Sequence, residues 1–355
     1  MLLKKETNYL FMKERVLIYT TDVREGDSAG NQDVFAEAKH VHDGLSRLGY
    51  SQENIIQLPF AFDVEKYEES MERAKREILE SRADYVFNLV EALRGKEGNL
   101  TDRLWGVSLK VFEEIGIPYT GNPLSALEKT ESKIKAKKVM IANKIPTPDY
   151  MTLQTIRHVL SGEKFILKSA YENGSEGIIE EETENGRVIK LFDDEGEIRN
   201  VLELNPEYFA EKFIGNREFN ISIIGSNGNY LALPIPEIRF VNWREGVPKG
   251  VGSAAKWKDD SWQSKQTERS FDFPNSDKPL LAELEKITMQ CCDTFELGGY
   301  ARVDFRVENG NPYVLEINLN PGIDPTSGFV AAVKRAGIPW EKALEKIVEA
   351  RNYPR

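Results

Sequence analysis

Gly299-Tyr-Ala-Arg302-Val-Asp304-Phe-Arg306-Val307, followed by Tyr313-Val-Leu-Glu316-Ile-Asn318-Leu-Asn-Pro321-Gly322, reads as two strands joined by the loop Glu308-Asn309-Gly310-Asn311. Side chains alternate along a strand, so Ala301, Val303, Phe305 and Val307 share one face, and Arg302, Asp304 and Arg306 the other. On the second strand the same alternation predicts an apolar face of Tyr313, Leu315 and Ile317. Glu316 and Asn318 then point the opposite way, together with Val314. Neighbouring strands can thus offer one guanidinium and three hard oxygen ligands, Asp304, Glu316 and Asn318, to a common space. Such donors suit Mg²⁺, which takes few carboxylates and leaves its other positions to water and phosphate. An amphipathic hairpin with a wet polar face is the plainer reading of the alternation. Pro321-Gly322 directly after the acidic strand frees a backbone N–H for a ligand, and this favours a metal–phosphate site.

Upstream of the hairpin, strands alternate with helices. Val16-Leu17-Ile18-Tyr19, Ile55-Ile56-Gln57-Leu58 and Tyr85-Val86-Phe87-Asn88-Leu89 read as strands. Between and after them, 33–48, 67–81 and 104–115 read as helices, with Gly49 in the C-terminal glycine position of the first. This order predicts an α/β domain with a parallel sheet over about 1–124. A helical stretch from Pro123 to Asn143 follows, closed by Ile145-Pro146-Thr147-Pro148, where two prolines mark a linker. Short strands around 165–168, 178–181 and 187–190 give a small central α+β unit, 125–210. A C-terminal α+β domain, 211–355, carries the hairpin and helices at 280–295 and 340–351. Residues 1–11 are polar and aperiodic and are expected to be a loosely held, dispensable tail.

The bulk properties narrow the function. A length of 355 residues fits two or three domains. No segment approaches the apolar length of a membrane span, and the first residues lack a signal-peptide core. The two cysteines, Cys291 and Cys292, lack partners at metal spacing and are expected to be buried reduced thiols with a cytoplasmic address. A net charge of −11 argues against nucleic acid as a partner. The three histidines, at 40, 42 and 158, flank no Ser or Cys motif, so a hydrolase triad has little support.

The ordered set Arg302-Val303-Asp304, Glu316-Ile317-Asn318 and Pro321-Gly322 resembles the metal-binding end of the ATP-grasp ligases, in particular the D-alanine–D-alanine ligase family. Further matches extend the resemblance over roughly 75–350. Lys168 ends a strand before Asn173-Gly174-Ser175-Glu176-Gly177, a glycine-containing loop of the kind that brings backbone N–H groups to phosphate. The resemblance implies that Lys168 and Ser175 contact ATP phosphates, with Glu172 on an acidic position of the family pattern. It makes Lys133, in Ser132-Lys133, the second phosphate lysine, while Lys135, Lys137 and Lys138 read as a solvated helix face. Tyr208 to Phe219 looks like the family's interdomain hinge. Carried over, Glu211, Lys212 and Ile214 touch adenine, and Glu218 takes the ribose. Ser253-Ala254-Ala255-Lys256-Trp257 is similar to a segment of the family's mobile loop. Lys256 would there neutralise the γ-phosphate or a substrate carboxylate, and glycines 246, 250 and 252 support a flexible loop.

The resemblance implies an ATP-grasp fold and an ADP-forming acid–amine ligase. In it a carboxylate attacks the γ-phosphate of ATP, and an amine then displaces phosphate from the acyl phosphate. Asp304, Glu316 and Asn318 would hold Mg²⁺, two ions by the family pattern, with Mn²⁺ as an alternative. Arg302 and the Gly322 N–H would stabilise the oxyanion of the second step, and Ser327 would hold the acceptor's carboxylate. The family also allows a homodimer. Three departures concern the donor pocket. Thr20-Thr21-Asp22 stands where the family has a Gly-Gly-x-Ser-x-Glu loop, a family serine falls on Gly174, and a loop tyrosine is Trp257. The family's Leu-His-Gly turn reads Leu93-Arg94-Gly95, and Arg94 would suit an extra anionic substrate group. The expectation is a carboxylate–amine ligase whose donor is an amino acid other than D-alanine. The alternatives are a divergent D-alanine–D-alanine ligase and, in another class, an inactive nucleotide-binding protein.

Overall fold

The computed structural model describes residues 14–24, 29–94, 100–101, 106–171, 177–215, 217–257 and 260–354, with the backbone alone at 29–32, 94, 100–101 and 257. The expected tail at 1–11 lies outside them. Two strands of the first sheet are buried along their whole length, as burial on both faces demands, while the edge strand Ile55–Phe60 alternates between buried and solvent-reached residues. Its centre, β1 (Val16–Thr21), is buried along its whole length and pairs in parallel with β2 (Ile55–Phe60) and β3 (Tyr85–Leu89). Leu17 and Tyr19 pack on the helices Tyr67–Ser81 and Gly106–Ile115 through Met71, Ile78 and Phe112. Val16 and Ile18 face the helix Ala29–Arg47 and the last two helices of the chain, Gly328–Arg335 and Trp340–Glu349, through Val41, Leu45, Phe329, Leu344 and Ile347. The two ends of the sequence therefore share one core. The two-residue strands β4 (Leu93–Arg94) and β5 (Leu100–Thr101) follow β3.

The stretch from Pro123 to Asn143 is two helices rather than one, Leu124–Thr130 and Lys133–Ala142. Ser132 is the reason: its hydroxyl accepts the N–H of Lys135 and opens the second helix as an N-cap, worth about 1 kcal/mol. The linker is docked, because the Val314 N–H donates to the Pro146 carbonyl and the Thr147 hydroxyl to the Val314 carbonyl, both at 2.8 Å. The central sheet is antiparallel, with β10 (Tyr208–Lys212) between β6 (Tyr150–Met151) and β7 (Phe165–Ser169). The hairpin β8 (Glu180–Thr183) and β9 (Gly186–Ile189) stands beside it.

The third sheet is six-stranded and antiparallel. It runs β14 (Thr267–Ser270), β13 (Glu237–Phe240), β11 (Arg217–Ser226), β15 (Tyr300–Glu308), β16 (Asn311–Leu319), with β12 (Asn229–Ala232) also on β11. Asn309 and Gly310, at φ 51° and 77°, make the two-residue turn between β15 and β16. Behind the sheet lies the helix Lys278–Phe295, in which Cys291 and Cys292 are buried. A net of amides joins this sheet to the first domain. Asn122 donates from its backbone to Asn320 Oδ1 (2.9 Å) and from its side chain to the Tyr300 carbonyl (2.7 Å), and it accepts from the Gly298 N–H (3.0 Å). The chains cross there at Gly299, where a Cβ would stand 2.8 Å from Gly121 Cα.

Candidate functional site

The hairpin departs from strict alternation at one point. Arg302 pairs with Asn318 and Asp304 with Glu316, but Phe305 pairs with Val314, so Leu315 is the extra residue of a β-bulge. Val314 consequently lies in the core and not on the polar face, and Leu315 joins Glu316 in the cleft, the reverse of the expected apolar face. Asp304 is nearly enclosed. Arg302 grips it with two bonds, Nε to Oδ1 at 2.7 Å and Nη2 to Oδ2 at 2.8 Å. Asn220 Nδ2 donates to Oδ1 (2.9 Å) and Asn318 Nδ2 to Oδ2 (2.8 Å). Glu316 Oε2 stands 3.9 Å from the Lys133 ammonium. Burial alone would raise the Glu316 carboxyl, but Lys133, Lys168, Arg302 and Lys256 outweigh it and hold the group below the ordinary carboxylate range. Among the described residues no three His, Cys, Asp or Glu side chains gather as a metal cluster. The oxygen set here is two carboxylates and one amide on adjacent strands, which fits a hard cation that keeps water or phosphate for its other positions.

Asn220, Arg302, Asp304, Leu315 and Glu316 line one wall of a cleft of about 350 Å³ between the central and C-terminal sheets, and Lys133, Lys168, Lys212, Ile214, Glu218 and Lys256 also border it. A second cavity of about 400 Å³ shares Lys133 and Glu316 and extends to Gly106 and Lys110 of the first domain. Lys168, on β7, donates to Glu211 Oε1 on β10 at 2.6 Å. The other oxygen of Glu211 is 2.5 Å from the Lys137 ammonium. Lys137 is wholly buried, contrary to the solvated helix face expected, and also donates to Thr147 Oγ1 (2.7 Å) and the Pro148 carbonyl (3.1 Å). It lies one helical turn after Lys133, so both ammoniums project from the same face. Burial would raise the Glu211 carboxyl, but Lys137 and Lys168 prevail and hold it low; burial likewise pulls the Lys137 ammonium down. Both Glu211 oxygens thus lie beside ammoniums, while the residue still lines the cleft.

Glu218 pairs with Arg306, whose Nη1 donates to its Oε2 at 2.9 Å and whose Nε donates to the Ile214 carbonyl at 2.9 Å; the Lys249 carbonyl accepts from Nη2. Burial, the largest influence, raises the Glu218 carboxyl despite that guanidinium. Lys212 turns to Glu163, 3.2 Å away. Lys256 sits on the short helix Ser253–Trp257, held to the β8–β9 hairpin by Glu180. Glu180 accepts the Ser253 N–H at 2.8 Å and also its hydroxyl. Gly250 and Gly252 approach that hairpin closely, and a Cβ would stand 2.7 Å from Ile189 Cδ1 and 2.5 Å from Glu180 Oε1 respectively. Lys256 is reached by solvent from the cleft, and the surrounding protein and Arg302 pull its ammonium below the ordinary lysine range.

Ser327 caps the helix Gly328–Arg335, accepting the Val330 N–H at 3.3 Å, where Gly328 lies beside Arg269 of the cleft. Gly322 follows the acidic strand, and a Cβ on it would stand 3.0 Å from Glu37 Oε1. Glu37 is buried, accepts the Ile323 N–H at 2.8 Å, and is pushed well above the ordinary carboxyl range by burial and by Glu91. The Thr21 hydroxyl accepts the N–H groups of Glu91 and Ala92. Glu172, Gly174 and Ser175 lie outside the described residues, as do the side chains of Arg94 and Trp257. His40 proves structural: its ring stacks on Trp340, and Nδ1 lies 2.8 Å from the Ile323 carbonyl. Sequence reasoning assigned no role to Arg306, Asn220, Leu315 or Lys137. For Arg306 and Asn220 the signal was available, since both lie on the same strand faces as residues already singled out.

An antiparallel sheet bearing the oxygen set, a small central sheet bearing a lysine, and a cleft between them define the ATP-grasp class. The family described as "D-ala D-ala ligase C-terminus" matches residues 144–349, more than half of the chain. The chain belongs to that family, and it is an ATP-dependent ligase. The D-alanine–D-alanine ligase of Herminiimonas arsenicoxydans is 27% identical over 294 residues, 79% of each chain. That of Methylacidiphilum infernorum is 24% identical over 340 residues, 92% of this chain and 93% of its own. The ATP complex of the Bacillus anthracis D-alanine–D-alanine ligase shares the fold with a TM-score of 0.63 at 22% identity, covering 95% of this chain and 96% of its own. Among the described residues no helix is long and apolar enough to cross a membrane.

Proposed function

We propose that the protein joins a carboxylate to an amine through an acyl phosphate, and that its donor is an amino acid other than D-alanine. The observation that carries the ligase chemistry is the convergence of Lys133, Lys168, Lys256 and Arg302 around Asp304 and Glu316 in one cleft. In the first step a donor carboxylate oxygen bonds to the γ-phosphorus as the bond to ADP breaks. The lysines bind the phosphate oxygens and align the reactants, the contribution phosphoryl transfer chiefly needs. Asp304, Glu316 and the carbonyl oxygen of Asn318 would hold Mg²⁺, which when bound neutralises phosphate charge. In the second step the amine attacks the acyl carbon, loses a proton, and phosphate leaves. Arg302 and the Gly322 N–H steady the oxyanion in that step. Ile214 and Leu315 pack on the adenine, Glu218 takes the ribose hydroxyls, and Lys212 borders the base. Glu211 acts through Lys168, fixing its ammonium at the phosphates.

The donor assignment is supported by the wall facing Gly322. Thr21 is occupied with the backbone of Glu91 and Ala92, and the buried Glu37 closes on the loop after β16. The names of the relatives favour the alternative, a D-alanine–D-alanine ligase of divergent sequence. Steady-state ADP release decides between them, with D-alanine assayed beside L-amino acids and anionic carboxylates. D-alanine alone is expected to be slow and another carboxylate much faster. The highest kcat/KM of the panel with D-alanine would overturn the donor reading in favour of the alternative.

A further inference from the structure

Arg306 is a buried cation of the cleft with no part in the two-step chemistry. It lies on β15 directly opposite Glu218 on β11, the next pair on that face after Asp304 and Asn220. Its planar fork serves three separate elements. Nη1 donates to Glu218 Oε2 at 2.9 Å, Nε to the Ile214 carbonyl between β10 and β11 at 2.9 Å, and Nη2 to the Lys249 carbonyl in the segment that leads to Lys256. The rings of Phe213 and Phe240 stand beside the guanidinium, with centroids 5.6 and 5.8 Å away. One oxygen of Glu218 is thus committed to the protein. Among the described residues the other, Oε1, accepts no hydrogen bond, and the side chain is 14% exposed where it lines the cleft. Burial raises the Glu218 carboxyl, Arg306 opposes that rise, and Asp304 adds to it. A carboxylate left alone there would take up a proton or turn towards water, and either change spoils it as an acceptor. A guanidinium out of water is itself costly, and an apolar side chain would brace the strands as well. The charge at 306 is therefore explained by what it does to Glu218.

We propose that Arg306 is a positioning residue for the nucleotide: it fixes the Glu218 carboxylate and turns Oε1 to the ribose, so that the enzyme selects ribonucleotides over deoxyribonucleotides. The inference rests on the reading of Glu218 as the ribose carboxylate and deepens it. A ribose hydroxyl donates to Oε1 of an anion whose other oxygen is already held, so little side-chain freedom is lost when the nucleotide binds. A deoxynucleotide leaves that oxygen without its donor inside a cleft closed to much of the solvent.

The test is calorimetric measurement of the Kd of ATP, 2′-deoxyATP and 3′-deoxyATP for the full chain with Mg²⁺, which requires neither the carboxylate nor the amine. The wild type is expected to bind ATP about 10–10²-fold more tightly than at least one of the deoxynucleotides, the range for a hydrogen bond to a charged acceptor. In Arg306→Met and Arg306→Gln that ratio should fall to about threefold or less, the scale of a neutral hydrogen bond. Arg306→Lys should keep an intermediate ratio, since one ammonium can hold Glu218 but not the Ile214 and Lys249 carbonyls as well. With Glu218→Ala already present, Arg306→Met should not move the ratio further, because Arg306 acts through Glu218. Weaker binding of all three nucleotides at the wild-type ratio marks Arg306 as a structural strut and refutes the inference. If neither neutral variant folds, Arg306→Lys decides, and a wild-type ratio there refutes it. Equal binding of ATP and both deoxynucleotides by the wild type refutes the ribose reading of Glu218, and the inference with it. No binding of ATP at all refutes the ligase reading itself.

Discussion

Glu211 is in ion-pair contact with two buried ammoniums, and Glu211→Gln removes its charge with almost no change in volume. The side chains of Lys137 and Glu211 are 0% and 1% exposed, and that of Lys168 is 8% exposed. Without the carboxylate, two cations face each other in a site water barely reaches. Breaking a buried pair from one side costs about 3–5 kcal/mol. Lys137→Met should cost less, about 1–3 kcal/mol, since Glu211 keeps Lys168 as its counter-ion although its Oε2, Thr147 and the Pro148 carbonyl each lose a partner. Hydrogen exchange measured on peptides covering 165–169 and 208–212 reports the opening of the central sheet. For Glu211→Gln the expected acceleration is on the order of 10²–10⁴-fold at about 1.36 kcal/mol per tenfold. The pH dependence gives a second readout. The folded-state carboxyl is held below its ordinary value, so the unfolded chain binds more protons between the two values. Its stabilisation is therefore complete above the ordinary carboxylate value and is lost as pH falls through the lowered one. Glu211→Gln should lack that acid slope. Exchange rates equal to wild type in Glu211→Gln, or a larger effect from Lys137→Met, would refute the reasoning.

Glu316→Gln and Asn318→Ala are expected to abolish turnover with an unchanged circular dichroism spectrum, because each removes a proposed ligand from an ion that needs near-ideal octahedral geometry. Full activity with an unaltered Mg²⁺ dependence would count against that assignment. Arg302→Ala is expected to lower the rate of ligation about 10²–10³-fold while ATP still binds, the scale for one lost oxyanion donor. Loss of ATP affinity with an unchanged turnover rate would move Arg302 to the nucleotide.

The parts of this molecule legible in its sequence are those governed by short-range pattern. The strands at Val16, Ile55 and Tyr85 are apolar runs bounded by helices, and the turn at Asn309-Gly310 carries the residues a positive φ favours. The oxygen set was legible because Asp304, Glu316 and Asn318 recur at strand spacing around it. Longer-range compensation was not. A buried lysine has the same letter as a solvated one, and only the carboxylate of Glu211, on a distant strand, makes Lys137 an interior residue. Gly250 and Gly252 read as flexibility when taken alone, and the close approach of Ile189 and Glu180 from the neighbouring hairpin was not visible there. The break at Ser132 was hidden because lysine and alanine continue the helical composition on its far side.

The unpaired Leu315 lets this strand change length at one place without turning its faces over. Along an unbroken strand an inserted or lost residue moves every side chain beyond it to the other face. Val314 and Glu316 already point opposite ways across the bulge. Losing Leu315 would make them ordinary neighbours, with Val314 still in the core and Glu316 still among four cations. Only an apolar side chain of the cleft would be lost. The bulge therefore uncouples the apolar floor of the cleft from the oxygen set beside it. Variation in the length of this strand should accordingly fall at Leu315, where it can reshape the floor and leave the oxygen set in place.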